Sequence, residues 1–576
     1  MRPVSTSRGS AAAAVLLSAA KAVSATASLS DICSSDYAVA ALPLDAVQGV
    51  TIDTTSVTTQ LVTNFTASSN FYPTSTFDYC NLTFAYSHNG LDNDIVHVQY
   101  WLPAPGQFQN RYVSTGGAGW AINSGSQSIP TGVIVGGVGG LTDGGFGSFD
   151  NQFSDVALVE NGTVNWQATY MFGYQAHHEL ATIGKQLTRN IYNVSDSSKV
   201  YSYYQGCSEG GREGWSQVQR YPDQFDGIAV GAPAFRWAQQ QVIHLFGNVI
   251  EQTQGYFPSS CELEKIMNLT IESCDPLDGK TDGIVSRSDL CLDNLDLNGM
   301  VGTPYSCAAA AGGMQSSATP AQEGNITAEA ITLVRAYWAG LHDSDGNLVY
   351  YTYQPGSSFD DLDAAYNATS DTWGLSVSGL GGIWVSQFLK KLKADNLPNL
   401  NNVTYDTLKE WMVETMNLYG DIMQTTYPDL TDFKAAGGKV IHFHGEQDFS
   451  IPTASSVRYW ESVRQITFAG QSLKQSTAAM DDFYRLYLVP GAGHCAANSY
   501  QPNGPWPQTS LQTVIDWVEN GVVPDTLAGT GDIDTLCRWP LRPLWVNDGA
   551  NFTCVESKSS VESFTYDLSA FRLPVY

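Results

Sequence analysis

Positive charge is scarce in this 576-residue sequence. It contains 28 Lys and Arg residues against 56 Asp and Glu residues, and its formal net charge at pH 7 is −28. Proteins that bind nucleic acids neutralise backbone phosphates with clustered Lys and Arg side chains, so this composition argues against a nucleic-acid partner. Charged residues of both signs together make up only 15% of the chain.

Long apolar runs are also absent after the first thirty residues. A helix that crosses a bilayer needs about 18 or more consecutive apolar residues, so no membrane-spanning segment is predicted there. The chain is nevertheless rich in core-forming side chains, since 43% of its residues are hydrophobic and 11% are aromatic. This composition excludes a disordered chain and predicts a folded, soluble protein with a large core.

The N-terminus and the cysteine count both indicate export from the cell. Arg2 and Arg8 precede an Ala-rich apolar run and an A-x-A pattern that ends at Ala27, which is the layout of a signal peptide over residues 1–27. The ten cysteines form an even number, which suits an oxidising compartment. Nine N-x-S/T sequons predict a glycosylated, extracellular protein, and they begin at Asn64, Asn81, Asn161, Asn193, Asn268, Asn325, Asn367, Asn402 and Asn551.

Strands alternate with helices along much of the chain. After a predicted hairpin over residues 83–102, strand-like runs occur at residues 111–114, 199–205, 225–230, 439–444 and 484–489. Helical patterns occur at residues 170–185, 212–220 and 510–519. This order is typical of an α/β protein, whose mostly parallel sheet carries its chemistry at the carboxyl ends of the strands.

The composition and the predicted secondary structure change in the middle of the chain, which predicts an inserted domain. Residues 238–400 contain four cysteines, loops rich in Gly, Ser and Ala, and an amphipathic helical pattern over residues 327–341. On this division, residues 28–237 form the first part of a core and residues 401–576 form its second part.

One serine lies in the sequence context of a nucleophile elbow. Residues 206–210 read GCSEG, which matches the pattern G-x-S-x-G and falls between a predicted strand and a predicted helix. The glycines permit a tight turn, and the amides at the start of the helix face any negative charge that develops on the substrate. Ser208 is therefore the predicted nucleophile.

A catalytic serine needs a histidine base and an acid that orients it, and in this fold they follow in the order Ser, Asp, His. Of the nine histidines, His494 is the best placed, because it follows the last predicted strand through the loop PGAG. By the same logic Asp448, which follows the strand at residues 439–444, is the predicted acid. Glu446 is the main alternative, and three further acids are weaker candidates: Asp421, Asp429 and Asp432.

Two cysteines flank the predicted catalytic residues. Cys207 immediately precedes Ser208, and Cys495 immediately follows His494. If the serine and the histidine lie within ~3 Å of each other, the cysteines approach the ~5.5 Å Cα separation of a disulfide. They are thus a predicted pair, and the other predicted pairs are Cys274–Cys291, Cys537–Cys554, Cys33–Cys80 and, by elimination, Cys261–Cys307.

The oxyanion that forms when a serine attacks a carbonyl carbon needs two backbone N–H donors. One is predicted at Glu209, directly after the nucleophile. The other is predicted at Gly117 and Ala118, in the glycine-rich loop that follows the strand at residues 111–114.

An acidic loop predicts a structural metal site. Residues 274–284 read CDPLDGKTDGI, and the carboxylates of Asp275, Asp278 and Asp282 are hard oxygen ligands that suit Ca²⁺. The backbone carbonyls of Lys280 and Ile284 would complete the shell. The spacing differs from that of an EF-hand, and the loop lies apart from the predicted catalytic residues in sequence.

The serine, acid and histidine with their two flanking cysteines resemble the hallmark of the fungal tannase and feruloyl esterase family. Three longer segments are also similar to this family: YYQGCSEGGREGWSQVQR at residues 203–220, GAPAFRWAQQQ at residues 231–241 and CDPLDGKTDGIVSRSDLC at residues 274–291. The resemblance implies an α/β-hydrolase core, a triad of Ser208, Asp448 and His494, the same five calcium ligands, and a lid formed by the inserted domain.

The resemblance also implies an activity. We expect a secreted serine esterase that hydrolyses galloyl esters, releases gallic acid and uses no organic cofactor. A feruloyl esterase acting on hydroxycinnamate esters of plant cell walls is the alternative within the family. Outside it, a glycan-binding module with a calcium loop and a serine peptidase are the remaining hypotheses, and the oligomeric state is left open.

Overall fold

The computed structural model describes residues 27–311, 318–362, 364–531, 533–572 and 576. The predicted signal peptide, apart from Ala27, lies outside these residues. Within the described part of the chain, no helix is long and apolar enough to cross a membrane.

A nine-stranded sheet forms the centre of the molecule. Its strands in chain order are β1 (Val50–Ser69), β2 (Tyr72–His88), β3 (Val96–Pro103), β4 (Arg111–Thr115), β5 (Gly137–Thr142), β6 (Tyr201–Cys207), β7 (Gly227–Gly231), β8 (Lys439–Gly445) and β9 (Tyr484–Val489). In space they lie in the order β1-β2-β3-β5-β4-β6-β7-β8-β9. The pairs from β1 to β5 are antiparallel, and the pairs from β5 to β9 are parallel. This mixed sheet with its parallel half confirms the predicted α/β-hydrolase class.

The parallel strands are buried on both faces because helices cover both sides of the sheet. Along β6 and β7, Tyr204 and Val230 pack into the larger core cluster, whereas Tyr203 and Ala229 pack on the opposite face. The helices that contact these parallel strands are Pro130–Ile134, Ala176–Ile191, Glu209–Arg220, Leu473–Asp481 and Ser510–Asn520. The other helices of this part are Leu29–Ile32, Ser35–Ala41, Phe153–Val156, Trp166–Tyr170, Thr431–Ala435, Ala454–Thr467 and Lys558–Glu562, with a π-helical turn at Met171–Gln175.

Between β7 and β8, the described residues of the segment 232–430 contribute no strand to the central sheet. This segment folds into the helices Trp237–Ile243, Phe246–Gln254, Ser260–Cys274, Ser288–Asn294, Ala328–Ala339, Gly379–Ile383 and Tyr405–Met423, with a π-helical turn at Trp384–Leu389. It also holds two small hairpins, Pro304–Cys307 with Gln322–Asn325 and Ala364–Asn367 with Thr372–Leu375. Helix Tyr405–Met423 packs on helix Trp237–Ile243, so the helical structure of the segment continues beyond residue 400.

Three further hairpins form small two-stranded sheets outside the central sheet. They are Leu158–Glu160 with Thr163–Val164, Thr526–Ala528 with Thr535–Cys537, and Leu541–Val546 with Asn551–Glu556. Five disulfides link the chain, and they are the five pairs predicted from the sequence: Cys33–Cys80, Cys207–Cys495, Cys261–Cys307, Cys274–Cys291 and Cys537–Cys554.

Two strands of the sheet were not predicted. β1 is a Thr-rich edge strand that is mostly exposed, so it lacks the alternating apolar pattern of a half-buried strand. β5 reads GVGGLT and is weak by composition. Its Gly139 is required by packing, because a Cβ there would lie 2.4 Å from the carbonyl oxygen of Ile129, just before helix Pro130–Ile134.

Candidate active site

Ser208 lies in a sharp turn between strand β6 and helix Glu209–Arg220. Its backbone is left-handed, with φ of 63° and ψ of −123°, and its N–H donates to the Gly231 carbonyl oxygen over 3.0 Å. A side chain at Gly206 would not fit, because its Cβ would lie 2.5 Å from the carbonyl oxygen of Gly210. A strained serine at the carboxyl end of a central strand is the geometry of a nucleophile elbow.

The three predicted catalytic side chains form a continuous hydrogen-bonded chain. His494 Nε2 lies 2.9 Å from Ser208 Oγ, and His494 Nδ1 lies 2.8 Å from Asp448 Oδ2. His494 follows β9 and Asp448 follows β8, so both side chains come from loops at the same edge of the sheet as the serine. This arrangement allows the histidine to take a proton from the serine hydroxyl while the carboxylate fixes the ring.

Asp448 is fully buried, and its carboxylate accepts hydrogen bonds from four donors. Its Oδ1 accepts the N–H groups of Ser450 and Ile451 at 2.8 and 2.9 Å, and its Oδ2 also lies 3.1 Å from His444 Nε2. Burial alone would raise the pKa of Asp448, but attraction to His494 and the hydrogen bonds from both histidines outweigh it and lower the pKa below its usual range. The carboxylate therefore stays ionised beside the catalytic imidazole.

The alternative acid Glu446 points away from the histidine. It is buried in an ion pair in which Arg542 Nη2 lies 2.6 Å from Glu446 Oε2. The three weaker candidates are exposed and lie away from His494: Asp421, Asp429 and Asp432. The structure therefore brings only Asp448, among the acids considered, to the histidine.

A disulfide joins the two catalytic loops directly. Cys207 and Cys495 are bonded with a Cα–Cα separation of 6.0 Å, although they are 288 positions apart in sequence. Each cysteine is the chain neighbour of a catalytic residue, since Ser208 follows the first and His494 precedes the second. The bridge thus fixes the backbone on both sides of the Ser208–His494 hydrogen bond.

The predicted oxyanion donors need a correction. The N–H of Gly117 donates to Glu213 Oε2 over 2.9 Å, and the N–H of Ala118 donates to the Ala121 carbonyl oxygen over 3.1 Å. Both amides therefore already have acceptors, and the prediction that they serve as free oxyanion donors is wrong for this structure. The N–H of Glu209, at the first position of its helix, has no acceptor among the described residues, so its role as an oxyanion donor stays a prediction.

A buried group of charged residues explains why Gly117 is engaged. Glu209 and Glu213 lie on the same face of helix Glu209–Arg220 with Arg212 between them, and all three side chains are fully buried. Arg212 forms an ion pair with Glu209, while Glu213 also accepts the Tyr204 hydroxyl. Burial raises the pKa of Glu213 to about 7 and raises that of Glu209 well above its usual range, so both carboxyls take up a proton more readily than an exposed glutamate does.

A cavity of about 980 Å³ opens above the catalytic serine. Its core side is formed by Ser208, His494 and the glycine-rich loop at residues 116–119. Its opposite side comes from the inserted segment, with the apolar side chains Leu263, Met267, Leu362, Leu380 and Ile383 beside the polar side chains His244, Asn248, Glu264, Asp360 and Asp361. Flat aromatic acyl groups with polar edges suit such a mixed wall.

The acidic loop partly fits a calcium ion. Asp278 Oδ2 is buried without a hydrogen bond of normal geometry, and burial raises the pKa of Asp278 to about 6. The carboxylate of Asp275 instead accepts backbone N–H groups from residues 282–284, and Asp282 Oδ2 lies 3.2 Å from the Lys280 ammonium. Within the described residues, no three His, Cys, Asp or Glu side chains are grouped closely enough to hold a metal by themselves. Backbone carbonyl oxygens, such as those of Lys280 and Ile284, would have to contribute.

Sequence reasoning missed several residues of the site. The spacing of Glu209, Arg212 and Glu213 at helical intervals could have revealed their shared face. His444 lies in the strand predicted at residues 439–444, and the sequence does not show its contact with Asp448, because that contact depends on the turn after β8. Phe71, which also lines the cavity, carries no signal in the sequence, because its position depends on the reach of the β1–β2 hairpin.

Comparison with known proteins gives one consistent result. The family model described as tannase and feruloyl esterase matches residues 80–561. A tannase from Aspergillus oryzae is 44% identical over 96% of this chain and 97% of its own length. The solved structure of a tannin acyl hydrolase from Aspergillus niger is 54% identical, covers 95% of this chain and 99% of its own, and superposes with a TM-score of 0.92. A probable feruloyl esterase from Arthroderma benhamiae is 30% identical over 85% of this chain and 88% of its own length.

Proposed function

The chain belongs to the tannase and feruloyl esterase family, and we propose that it is a secreted serine esterase that hydrolyses galloyl esters of tannins and of simple alcohols, releasing gallic acid. The observation that carries this proposal is the hydrogen-bonded chain from Ser208 Oγ through His494 to Asp448 at the floor of a large cavity. We assign galloyl esters rather than hydroxycinnamate esters as the substrate because the relatives named for tannin hydrolysis match this chain at higher identity than the feruloyl esterases do.

The geometry supports an acyl-enzyme mechanism. Ser208 Oγ attacks the ester carbonyl carbon while His494 Nε2 takes the hydroxyl proton, and the carbonyl oxygen becomes an oxyanion that the Glu209 N–H stabilises. Collapse of this intermediate breaks the bond to the alcohol oxygen, which leaves with the proton from His494. Water then attacks the acyl group with His494 again as base, and Asp448 stabilises the imidazolium in both steps.

The test is a comparison of two esters on the purified protein. We expect kcat/KM for methyl gallate to exceed kcat/KM for methyl ferulate. A preference for methyl ferulate would contradict the galloyl assignment and favour the alternative activity, a feruloyl esterase. Failure to cleave either ester would contradict the proposed enzyme as a whole.

We propose that the inserted segment acts as a lid. It supplies the wall of the cavity that faces Ser208, including Leu263, Met267 and Leu380. A planar aromatic acyl group would pack against these apolar side chains, and its hydroxyl groups would meet the polar residues beside them.

A structural calcium ion at the acidic loop remains a proposal. It is supported by the unpaired oxygen of Asp278 and by the raised pKa of that carboxyl, which reflects buried negative charge without enough compensation. When bound, the ion would neutralise this charge. The loop also carries the disulfide Cys274–Cys291, so the metal and the disulfide would constrain the same turn.

Secretion and N-glycosylation are also proposals. Eight of the nine sequon asparagines are exposed, and only Asn81, within strand β2, is half-buried. The five disulfides suit an oxidising compartment. A loss of mass after enzymatic removal of N-glycans from the secreted protein would support this; an unchanged mass would contradict it.

A further inference from the structure

The tip of the long β1–β2 hairpin reaches the catalytic cavity. Phe71, the residue just before β2, lines the same cavity as Ser208 and His494. The hairpin therefore contributes to the active site although it begins at the far edge of the sheet.

Three core side chains hold this tip through its backbone. Gln205 Nε2 donates to the Phe71 carbonyl oxygen over 3.2 Å, Trp506 Nε1 donates to that of Asn70 over 2.6 Å, and Gln508 Nε2 donates to that of Ser69 over 2.8 Å. Because these bonds use the backbone, the side chains at the tip are left available for other contacts.

A second groove of about 720 Å³ adjoins the catalytic cavity and shares Phe71, Ala118 and Ser124 with it. The two spaces therefore meet at the glycine-rich loop beside the nucleophile. The lining of the groove is uncharged and, apart from Phe71 and Ala118, consists of polar residues; its members are Ser68, Ser69, Asn70, Phe71, Ala118, Asn123, Ser124, Gln127 and Gln508.

Two amides of the groove are unused by the protein. The side chains of Asn70 and Gln127 are exposed, and neither makes a hydrogen bond within the described part of the chain. Asn123, by contrast, is buried and donates to the carbonyl oxygens of Thr142 and Phe149, so it has a structural role.

We propose that this groove is a subsite for the alcohol part of the substrate, and that it binds a polyol such as the sugar of a galloyl glucose. Sugar hydroxyls are neutral groups that both donate and accept hydrogen bonds, as do carboxamides and serine hydroxyls. The ring of Phe71 offers an apolar surface for the C–H face of a sugar. The apolar wall under the inserted segment suits the aromatic acyl group instead, so an ester whose carbonyl lies at Ser208 would extend its two ends into the two spaces.

This inference rests on the proposed esterase function, and its test separates the two. The variants Asn70→Ala, Gln127→Ala and the double variant are assayed on a monogalloyl glucose and on methyl gallate, whose methanol part is too small to reach the groove. Each lost hydrogen bond is expected to lower kcat/KM on the sugar ester by about threefold to tenfold, while hydrolysis of methyl gallate changes by less than about twofold.

Gln186→Ala is the matched control, because Gln186 is an exposed amide on helix Ala176–Ile191 outside both spaces. It should leave both substrates unaffected. Equal losses on the two esters, or no loss on the sugar ester, would overturn the subsite. If the wild-type protein cleaved neither ester, the esterase function itself would fail, and this outcome is visible before any variant is compared.

Discussion

Asp448 uses one oxygen for two histidines, since Oδ2 lies 2.8 Å from His494 Nδ1 and 3.1 Å from His444 Nε2. Asp448→Asn has an oxygen on only one side, so it cannot accept from the two histidines and from the Ser450 and Ile451 N–H groups at once, and it no longer stabilises an imidazolium. We expect kcat to fall on the order of 10⁴-fold with little change in fold, as measured by steady-state kinetics and thermal melting.

Glu446→Gln is the control for this prediction, because Glu446 is the buried acid two positions earlier. Its loss leaves Arg542 without its carboxylate partner, so the variant should lose roughly 3–5 kcal/mol of stability while its folded fraction keeps most of the wild-type kcat. The assignment of the acid would be wrong if Glu446→Gln lost activity and Asp448→Asn kept it.

The buried carboxyls of Glu209 and Glu213 predict a dependence of stability on pH. Burial raises the pKa of Glu213 from 4.5 to about 7 in the folded protein, so the folded state keeps a proton that the unfolded chain has lost. The resulting stabilisation is fully present below about pH 4.5 and disappears as the pH rises through 7. Glu213→Gln stays neutral, so its melting temperature should fall less steeply between pH 5 and pH 7.5 than that of the wild type.

Glu519→Gln provides the comparison for this measurement, since Glu519 pairs with Arg111 at the start of β4, at the opposite end of that strand from the glycine-rich loop at residues 116–119. Its melting temperature should keep the wild-type slope with pH. If Glu213→Gln had the same slope as the wild type, the raised pKa of Glu213 would not be the source of this pH dependence.

The three residues of the proposed triad could be predicted because each lies in the turn or loop that follows a predictable strand. Ser208, Asp448 and His494 follow β6, β8 and β9, and parallel strands deliver such residues to one edge of the sheet. The second oxyanion donor could not be predicted in the same way. Whether the Gly117 amide faces the substrate or a protein group depends on Glu213, a residue 96 positions away that approaches it only in the folded structure.

At the scale of elements, the disulfide between Cys207 and Cys495 holds the end of β6 against the loop after β9. The double variant Cys207→Ala, Cys495→Ala frees these loops to separate, and a misplacement near 1 Å between nucleophile and base costs on the order of a hundredfold in rate. We expect kcat to fall far more than KM rises in steady-state assays of methyl gallate hydrolysis.

The disulfide Cys537–Cys554 offers a matched control, because it joins two small hairpins rather than the catalytic loops. Its double alanine variant should lose stability by roughly 2–4 kcal/mol and keep kcat. Similar losses of kcat in both double variants would show that the catalytic bridge acts through general stability.

The acidic loop carries the prediction about metal. If it holds Ca²⁺, EDTA should lower the melting temperature and added Ca²⁺ should restore it, because ligand binding to the folded state stabilises by mass action. Asp278→Asn should abolish this response, whereas Asp482→Asn, at an exposed position outside the loop, should retain it. If neither EDTA nor added Ca²⁺ changed the melting temperature and elemental analysis found no calcium, the ion would be excluded.

The elements with strong apolar patterns were predictable, and the others were not. The sequence predicted the buried strands β4, β6, β7, β8 and β9 to within a few residues. β1 could not be predicted because its exposed, Thr-rich sequence shows no alternation of apolar and polar residues. For the same reason the hairpin tip at Phe71, which reaches the cavity, could not be predicted. Local patterns report burial, whereas the reach of a long hairpin depends on contacts such as that of Trp506 with Asn70.

At the scale of the whole molecule, the active site lies where the core meets the inserted segment. The core supplies Ser208, His494 and Asp448, and the insertion supplies the apolar wall that faces the serine. The insertion could be predicted from a change in composition and predicted secondary structure, but its contribution to the cavity was implied only by the resemblance to the family. The groove at the hairpin tip adds a third contribution, from the N-terminal part of the chain.

The central claim is that this triad hydrolyses galloyl esters, and the most direct test is the rate of gallic acid release from methyl gallate by wild type and by Ser208→Ala. Removal of the nucleophile should lower kcat by on the order of a thousandfold or more, with an unchanged melting temperature. A folded Ser208→Ala variant that kept a substantial fraction of wild-type kcat, or a wild-type protein that released no gallic acid, would contradict the account.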